Sequence, residues 1–174
     1  MPFTFIGNHD VTRIASQIDD DRHHGRAVAM LFALGATPSI YYGDEFGLRG
    51  VKEERVGGDD AIRPTFPTQP DEVPDAQPGV LALHQELIGV GRRHPWLHFA
   101  RTKTVEVTNE SLVLELTNGA ETLLVSLNLC DTALALRPVT ELLAAREAGV
   151  SGTSLDVGPH GWAIALIEQA TLST

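Results

Sequence analysis

The chain opens on a short apolar run, Phe3-Thr-Phe-Ile6, that passes Gly7 and gives way at once to Asn8, His9 and Asp10. Such a run predicts a buried strand over 3–7 whose carboxyl end presents polar side chains, and α/β folds place their chemistry at strand ends of this kind. A polar loop follows through Asp19-Asp-Asp-Arg-His-His24. Ala27, Met30, Leu31 and Leu34 then recur at i, i+3, i+4 and i+7, one face of an amphipathic helix running from about Arg22 to Leu34 and stopped by Gly35. Pro38 to Tyr42 is β-prone, and Gly43 to Gly47 breaks it with a turn carrying Asp44 and Glu45. Strand, helix and strand in this order form a βαβ unit, so the two strands are expected parallel and adjacent.

From Leu48 to Pro78 periodicity is lost in a stretch rich in glycine, proline and charge, which predicts an irregular loop covering a site or a neighbouring segment. Val80, Leu83, Leu87, Val90 and Leu97 restore a helical stripe; Arg92 and Arg93 suit its C-terminal dipole, and Pro95 ends it. Beyond Trp96 the period becomes two. Strands are expected at 104–108, 111–117, 121–128 and 132–136, with Asn118-Gly119 a hairpin turn and Leu123, Val125 and Leu127 on one face. Residues 141–148 combine helix propensity with a position among strands, and 154–157 and 161–167 read as two last strands. The division expected is an α/β part over 1–97 and an antiparallel β-sandwich over 98–174.

Composition narrows the function. A 174-residue chain with 43% hydrophobic residues can build a packed core. Its formal charge of −10, from 23 acidic and 13 basic residues, argues against nucleic acid or an anionic membrane as partner. No segment approaches the length of a membrane span, and no export signal is visible, so the expectation at face value is a cytoplasmic protein, with the reservation that such a signal would be lost with any missing N-terminal part. The single cysteine, Cys130, falls in an apolar strand-like run and is expected to be a small buried thiol.

The candidate chemistry starts at Asn8-His9-Asp10. A carboxylate beside an imidazole at a strand end suits the grip of vicinal hydroxyls, Asp10 accepting two hydrogen bonds and His9 donating one. Two other classes fit some of the residues. A metal-dependent His-Asp phosphohydrolase would use His9, Asp10, His23 and His24 as ligands, although adjacent histidines on a helix point in different directions. A non-catalytic carbohydrate-binding module would use Trp162 as a stacking platform, but alternation places Trp162 in phase with Ile164 and Leu166, toward a core. One of Tyr41 and Tyr42 is expected to face the core and the other the site. Arg63 reads equally as a lid residue and as a solvated loop arginine, and Trp96 as packing between the helix end and the β part.

Two motifs together carry a resemblance. Phe5-Ile-Gly-Asn-His-Asp10 resembles the signature at the end of the seventh barrel strand in the α-amylase superfamily, glycoside hydrolase family thirteen, and Gly35-Ala-Thr-Pro-Ser-Ile-Tyr-Tyr-Gly-Asp-Glu45 resembles the signature around that family's eighth strand. The resemblance implies the C-terminal part of a (β/α)8 TIM barrel followed by a β-sandwich, and a retaining mechanism with a carboxylate nucleophile and a second carboxyl as acid and base. It implies that Asp10 is the transition-state stabiliser that holds the sugar's 2- and 3-hydroxyls, that His9 binds the same sugar, that Asn8 braces them and that Arg13 borders the site. It implies an α-linked gluco-oligosaccharide or disaccharide as substrate and no cofactor; the calcium site of parts of that family would use segments not found in these 174 residues, so no metal is expected.

The family's nucleophile and general acid belong to its fourth and fifth strands, and no Gly-Phe-Arg-x-Asp-like stretch occurs in the 174 residues. Asp10 with Glu45 would be the remaining carboxyl pair, and two strands do not close a barrel. The expectation is therefore a C-terminal portion, inactive alone, whose partner is a missing N-terminal barrel segment if that segment is separately encoded. In that case Ile6 and Ile40 would lose part of their cover.

Overall fold

The structure, a computed structural model, describes residues 2–168; residue 1 and residues 169–174, the end of the expected β part, lie outside them. In chain order the first part comprises β1 (Phe3–Thr4), α1 (Ile14–Gln17), α2 (His24–Ala33), β2 (Thr37–Pro38) and α3 (Val80–Arg93). β1 and β2 are parallel neighbours, Phe3 opposite Thr37 and Thr4 opposite Pro38. The parallel pairing is as expected, but both strands are shorter than the apolar runs at 3–7 and 38–42. Each has one neighbour, Pro38 has no N–H to donate, and beyond Thr4 the backbone turns into the polar tip.

Asp20 accepts a hydrogen bond from the Arg22 N–H and starts a 3-10 turn, Asp21–His23, that leads into α2. The face of α2 that packs on α3 is turned from the stripe read in the sequence: Val28, Ala29, Leu31 and Phe32 meet Leu83, Leu87 and Val90 in one core, whereas Ala27, Met30 and Leu34 are only half-buried. Ile6 and Ile40 lie half-buried against it. The segment between β2 and α3 is irregular, as its composition predicts, and is pinned by the fully buried Ile62 and by a small cluster of Phe46, Leu48 and Val73.

The second part contains β3 (Arg101–Val107), β4 (Ser111–Thr117), β5 (Thr122–Asn128), β6 (Leu134–Pro138), β7 (Glu141–Ser151) and β8 (Ser154–Ile167), all paired antiparallel. Two leaves share β7 and β8. One runs β3, β4, β5, the end of β8 and the start of β7; the other joins β6, the start of β8 and the end of β7. At β4, β5 and the end of β8 the first leaf is buried on both faces, whereas β3 is exposed along its length. Leu114, Leu116, Leu123, Val125, Trp162 and Ile164 pack on α2 and α3, while Val113, Leu124, Ala163, Ala165 and Ile167 meet Leu155 and Val157 of the second leaf. That double burial explains the nearly continuous apolar run in β5.

One open reading is decided here and two expectations change. Residues 141–148 are strand, because pairing with β8 outweighs intrinsic helix propensity. Residues 154–167 are one strand, bent near His160, whose φ is +53°. Cys130 lies past the end of β5, half-buried, with its thiol donating to the Glu110 carboxylate at 3.1 Å; that hydrogen bond pushes the thiol pKa up. Among the described residues no helix is long and apolar enough to cross a membrane.

Candidate functional site

The chain leaves β1 through Gly7 into Asn8, His9 and Asp10. The Asn8 side-chain oxygen accepts the Asp10 N–H at 2.8 Å, a local brace that fixes the tip. His9 Nε2 stands 3.2 Å from Asp10 Oδ2, and both side chains are well exposed, at 65% and 60%. A carboxylate and an imidazole are thus offered side by side to solvent at a strand's carboxyl end.

A third group joins them from 53 residues away. Arg63 donates from Nη2 to Asp10 Oδ1 at 3.0 Å and from Nε to the His9 carbonyl at 2.8 Å, while Asp59 Oδ2 lies 2.7 Å from the same Nη2. The loop that carries Arg63 is tied down from below. Tyr41 donates its hydroxyl to the Ile62 carbonyl at 3.2 Å and Tyr42 donates to the Pro64 carbonyl at 3.0 Å. The two rings meet edge to face at 4.7 Å, and Phe66 stands 5.6 Å from Tyr42. Tyr41 is half-buried and Tyr42 exposed, so the pair divides broadly as alternation suggests, but both hydroxyls are used to hold the loop. Of the two readings of Arg63, lid residue or solvated loop arginine, the structure shows it over the site, a position that nothing local in the sequence encodes.

Beneath the tyrosines lies an ion pair. Arg13 is 1% exposed and donates from Nη1 to Asp44 Oδ1 at 2.9 Å and to the Tyr42 carbonyl at 3.0 Å. Its guanidinium carbon is 4.8 Å from the centre of the Tyr41 ring and 5.4 Å from that of Tyr42. Arg13 therefore supports the tyrosine platform from inside and offers no exposed group to a ligand, in place of the bordering position expected. Burial pushes the Asp44 carboxyl up to about 6, against the pull of Arg13. Gly7 makes this arrangement possible: a Cβ there would stand 2.4 Å from Asp44 Oδ2. Glu45 turns its carboxylate back onto the Gly43 N–H at 2.7 Å, so it is engaged in its own turn.

The other candidate residues do not join this cluster. Among the described residues, the grouping of three metal-ligand side chains is Asp20, His23 and His160, without His9 or Asp10. His23 and His24 diverge at the start of α2: His23 contacts His160, whereas His24 is buried and its pKa is lowered by that burial. The ligand set of a His-Asp phosphohydrolase is thus not assembled. Trp162 is 2% exposed in the core, which leaves it no face for stacking a sugar. Trp96 is half-buried against the core shared by the helices and the sheet, as expected.

Residues 1–111 match the family model described as alpha amylase, catalytic domain. The chain belongs to the α-amylase family. Among curated α-amylase relatives, it is 27% identical over 169 residues to the cyclomaltodextrin glucanotransferase of Paenibacillus macerans, covering 91% of this chain and 22% of that protein. It is 37% identical over 71 residues to the maltogenic alpha-amylase of Bacillus acidopullulyticus, covering 40% of this chain and 11% of that one. Among solved structures, the trehalulose synthase MutB of Pseudomonas mesoacidophila superposes with a TM-score of 0.76 at 18% identity, over 95% of this chain and 43% of that one. The alpha-amylase of H. orenii gives 0.74 at 19% identity, over 95% and 40%. The chain thus spans under half of these solved chains and about a fifth or less of these curated proteins. Its fold is the C-terminal part of an α-amylase-type barrel followed by a β domain.

Proposed function

We propose that this chain supplies the sugar-gripping part of a retaining enzyme acting on α-glucosidic bonds, by hydrolysis or transglycosylation. One observation carries it: an exposed carboxylate, Asp10, braced by Asn8 and flanked by His9 and Arg63 at the end of β1. Asp10 accepts hydrogen bonds from vicinal hydroxyls of the sugar being cleaved, and His9 Nε2 donates one; such bonds strengthen as the ring flattens toward an oxocarbenium ion. Asp10 is the transition-state stabiliser in this scheme. Arg63 holds the carboxylate in place and lends it positive charge. Support for a sugar ligand comes from structural neighbours, among them a MutB variant complexed with glucose and an isomaltulose synthase variant complexed with sucrose.

The covalent step requires a nucleophile and a general acid, and in this proposal both come from polypeptide outside the 174 residues. Asp10 and Glu45 do not replace them, because Glu45 is spent on its own turn. Phe3 and Phe5, at 73% and 57% exposure beside half-buried Ile6, are where further barrel strands would pack. The α-linked oligosaccharide or disaccharide is bound between the two sets of residues.

The test is turnover. The chain alone, incubated with maltose, trehalose and soluble starch, is expected to release no glucose above a no-protein control. Sustained turnover abolished by Asp10→Asn would show that the chain carries its own nucleophile and acid, and would overturn this division of labour.

A further inference from the structure

At the N-terminal end of α2, the two parts of the molecule meet through histidines. His23, at the start of α2, places Nε2 at 3.1 Å from Nδ1 of His160, 137 residues later in β8. The rings are stacked with their centres 5.3 Å apart. Asp20 adds an oxygen 3.6 Å from His23 Nε2, and one ligand atom from each of the three residues lies within 4.8 Å of the others. Four-coordinate zinc with ligand bonds of ~2.0–2.2 Å sets its donors roughly 3.3–3.6 Å apart. The two imidazoles already stand close to that spacing, and a small rotation of the Asp20 carboxylate closes the third edge.

The surroundings are built rather than incidental. Asp131 Oδ1 stands 2.7 Å from His160 Nε2, so that nitrogen carries the proton and Nδ1 turns its lone pair toward His23. The loop bearing Asp131 is held by Asn128, 1% exposed, whose amide donates to the carbonyls of Thr132, Val157 and Gly158 at 2.8, 3.1 and 2.9 Å. The His160 N–H donates to the Cys130 carbonyl, which fixes the bend that aims the ring. Arg22 spans both oxygens of Asp20 at 2.6–3.0 Å, in the way that ligating carboxylates are themselves hydrogen-bonded.

We propose that His23, His160 and Asp20 form a binding site for a zinc-class divalent transition metal, with water as the fourth ligand, that ties the barrel part to the β domain. Two imidazoles and a single carboxylate select zinc, cobalt or nickel over calcium or magnesium, which favour all-oxygen shells. On binding, His23 shifts its proton from Nε2, where it faces His160, to Nδ1. Asp131 stays on His160 Nε2 as the orienting group. Because the ligands come from both parts, the ion stabilises the folded chain by mass action. The role is structural and stands apart from sugar binding.

The test uses the untagged 174-residue chain stripped of metal. Adding one equivalent of Co2+ is expected to produce the intense visible spectrum of a tetrahedral site, and Zn2+ is expected to displace it and raise Tm. His23→Ala and His160→Gly, the latter chosen because glycine suits the positive φ, are expected to lose both effects. Asp131→Asn is expected to weaken Zn2+ binding by roughly tenfold or more through His160 alone. An octahedral Co2+ spectrum, no rise in Tm, or unchanged binding in both histidine variants would overturn the proposal. The spectrum of the unmodified chain decides the case even if a variant fails to fold.

Discussion

Asp10 and Arg13 stand three residues apart and illustrate what a motif conveys. Asn8, His9 and Asp10 were legible because an apolar run that ends in polar groups has one obvious use for them. Arg13 was expected at the same edge, yet its charge lies under the tyrosines beside Asp44, since nothing in a polar residue's type reveals that a buried acid awaits it 31 positions on. Arg63 escaped for the complementary reason: its contact with Asp10 depends on a loop shaped by Tyr41 and Tyr42. The Asp44 pair gives a pH prediction. Its folded carboxyl is raised from 3.8 to about 6, so the native state holds the proton more strongly than the unfolded chain. The stabilising contribution is present below about pH 4 and lost as pH rises through about 6. In urea titrations, the stability of the native sequence relative to Asp44→Asn is expected to fall over that window, by the order of 1–3 kcal/mol. A difference that stays flat or grows with pH would contradict it.

At the scale of elements, α3 and the hairpin strands could be read from spacing because each has a periodic apolar face, while α2 was legible as a helix but not in its orientation, since apolar residues surround it and Val28, Ala29 and Phe32 take the core side. The short parallel pair could not be sized, since strand length there depends on neighbours and on Pro38 rather than on apolar content. β7 is the clearest case of context deciding: Glu141 to Ala148 favours helix locally, yet two bulges, the second around Glu147 at a φ of +50°, let it follow the bend of β8. The β4–β5 turn is specified by its own residues. Asn118 Oδ1 accepts the N–H groups of Ala120 and Glu121, both at 2.8 Å, and Gly119 sits at a φ of +95° with open space around it. Gly119→Ala therefore meets only a backbone penalty, expected at about 1 kcal/mol, or a fall in Tm of roughly 2–4 °C by calorimetry. Gly119→Asn is expected to lose less, because asparagine tolerates that region.

At the scale of the molecule, the helices and the sheet share one hydrophobic core running from Val28 and Leu87 to Leu123 and Trp162. The β domain is thus more than an appendage: its first leaf covers the helices that place β1 and β2, and so supports the tip bearing His9 and Asp10. The sequence signalled two parts through a change of period near residue 98, but a core common to both requires contacts between distant segments that periodicity does not encode. The same holds for the meeting of His23 with His160. In the proposed function Asp10, with His9 and Arg63, grips an α-linked sugar. A 15N NMR titration of the intact chain with maltose tests this most directly. Saturable shifts centred on the amides of His9, Asp10 and Arg63 are expected, and they vanish in Asp10→Asn; shifts absent from these residues, or unchanged by that substitution, would rule the grip out.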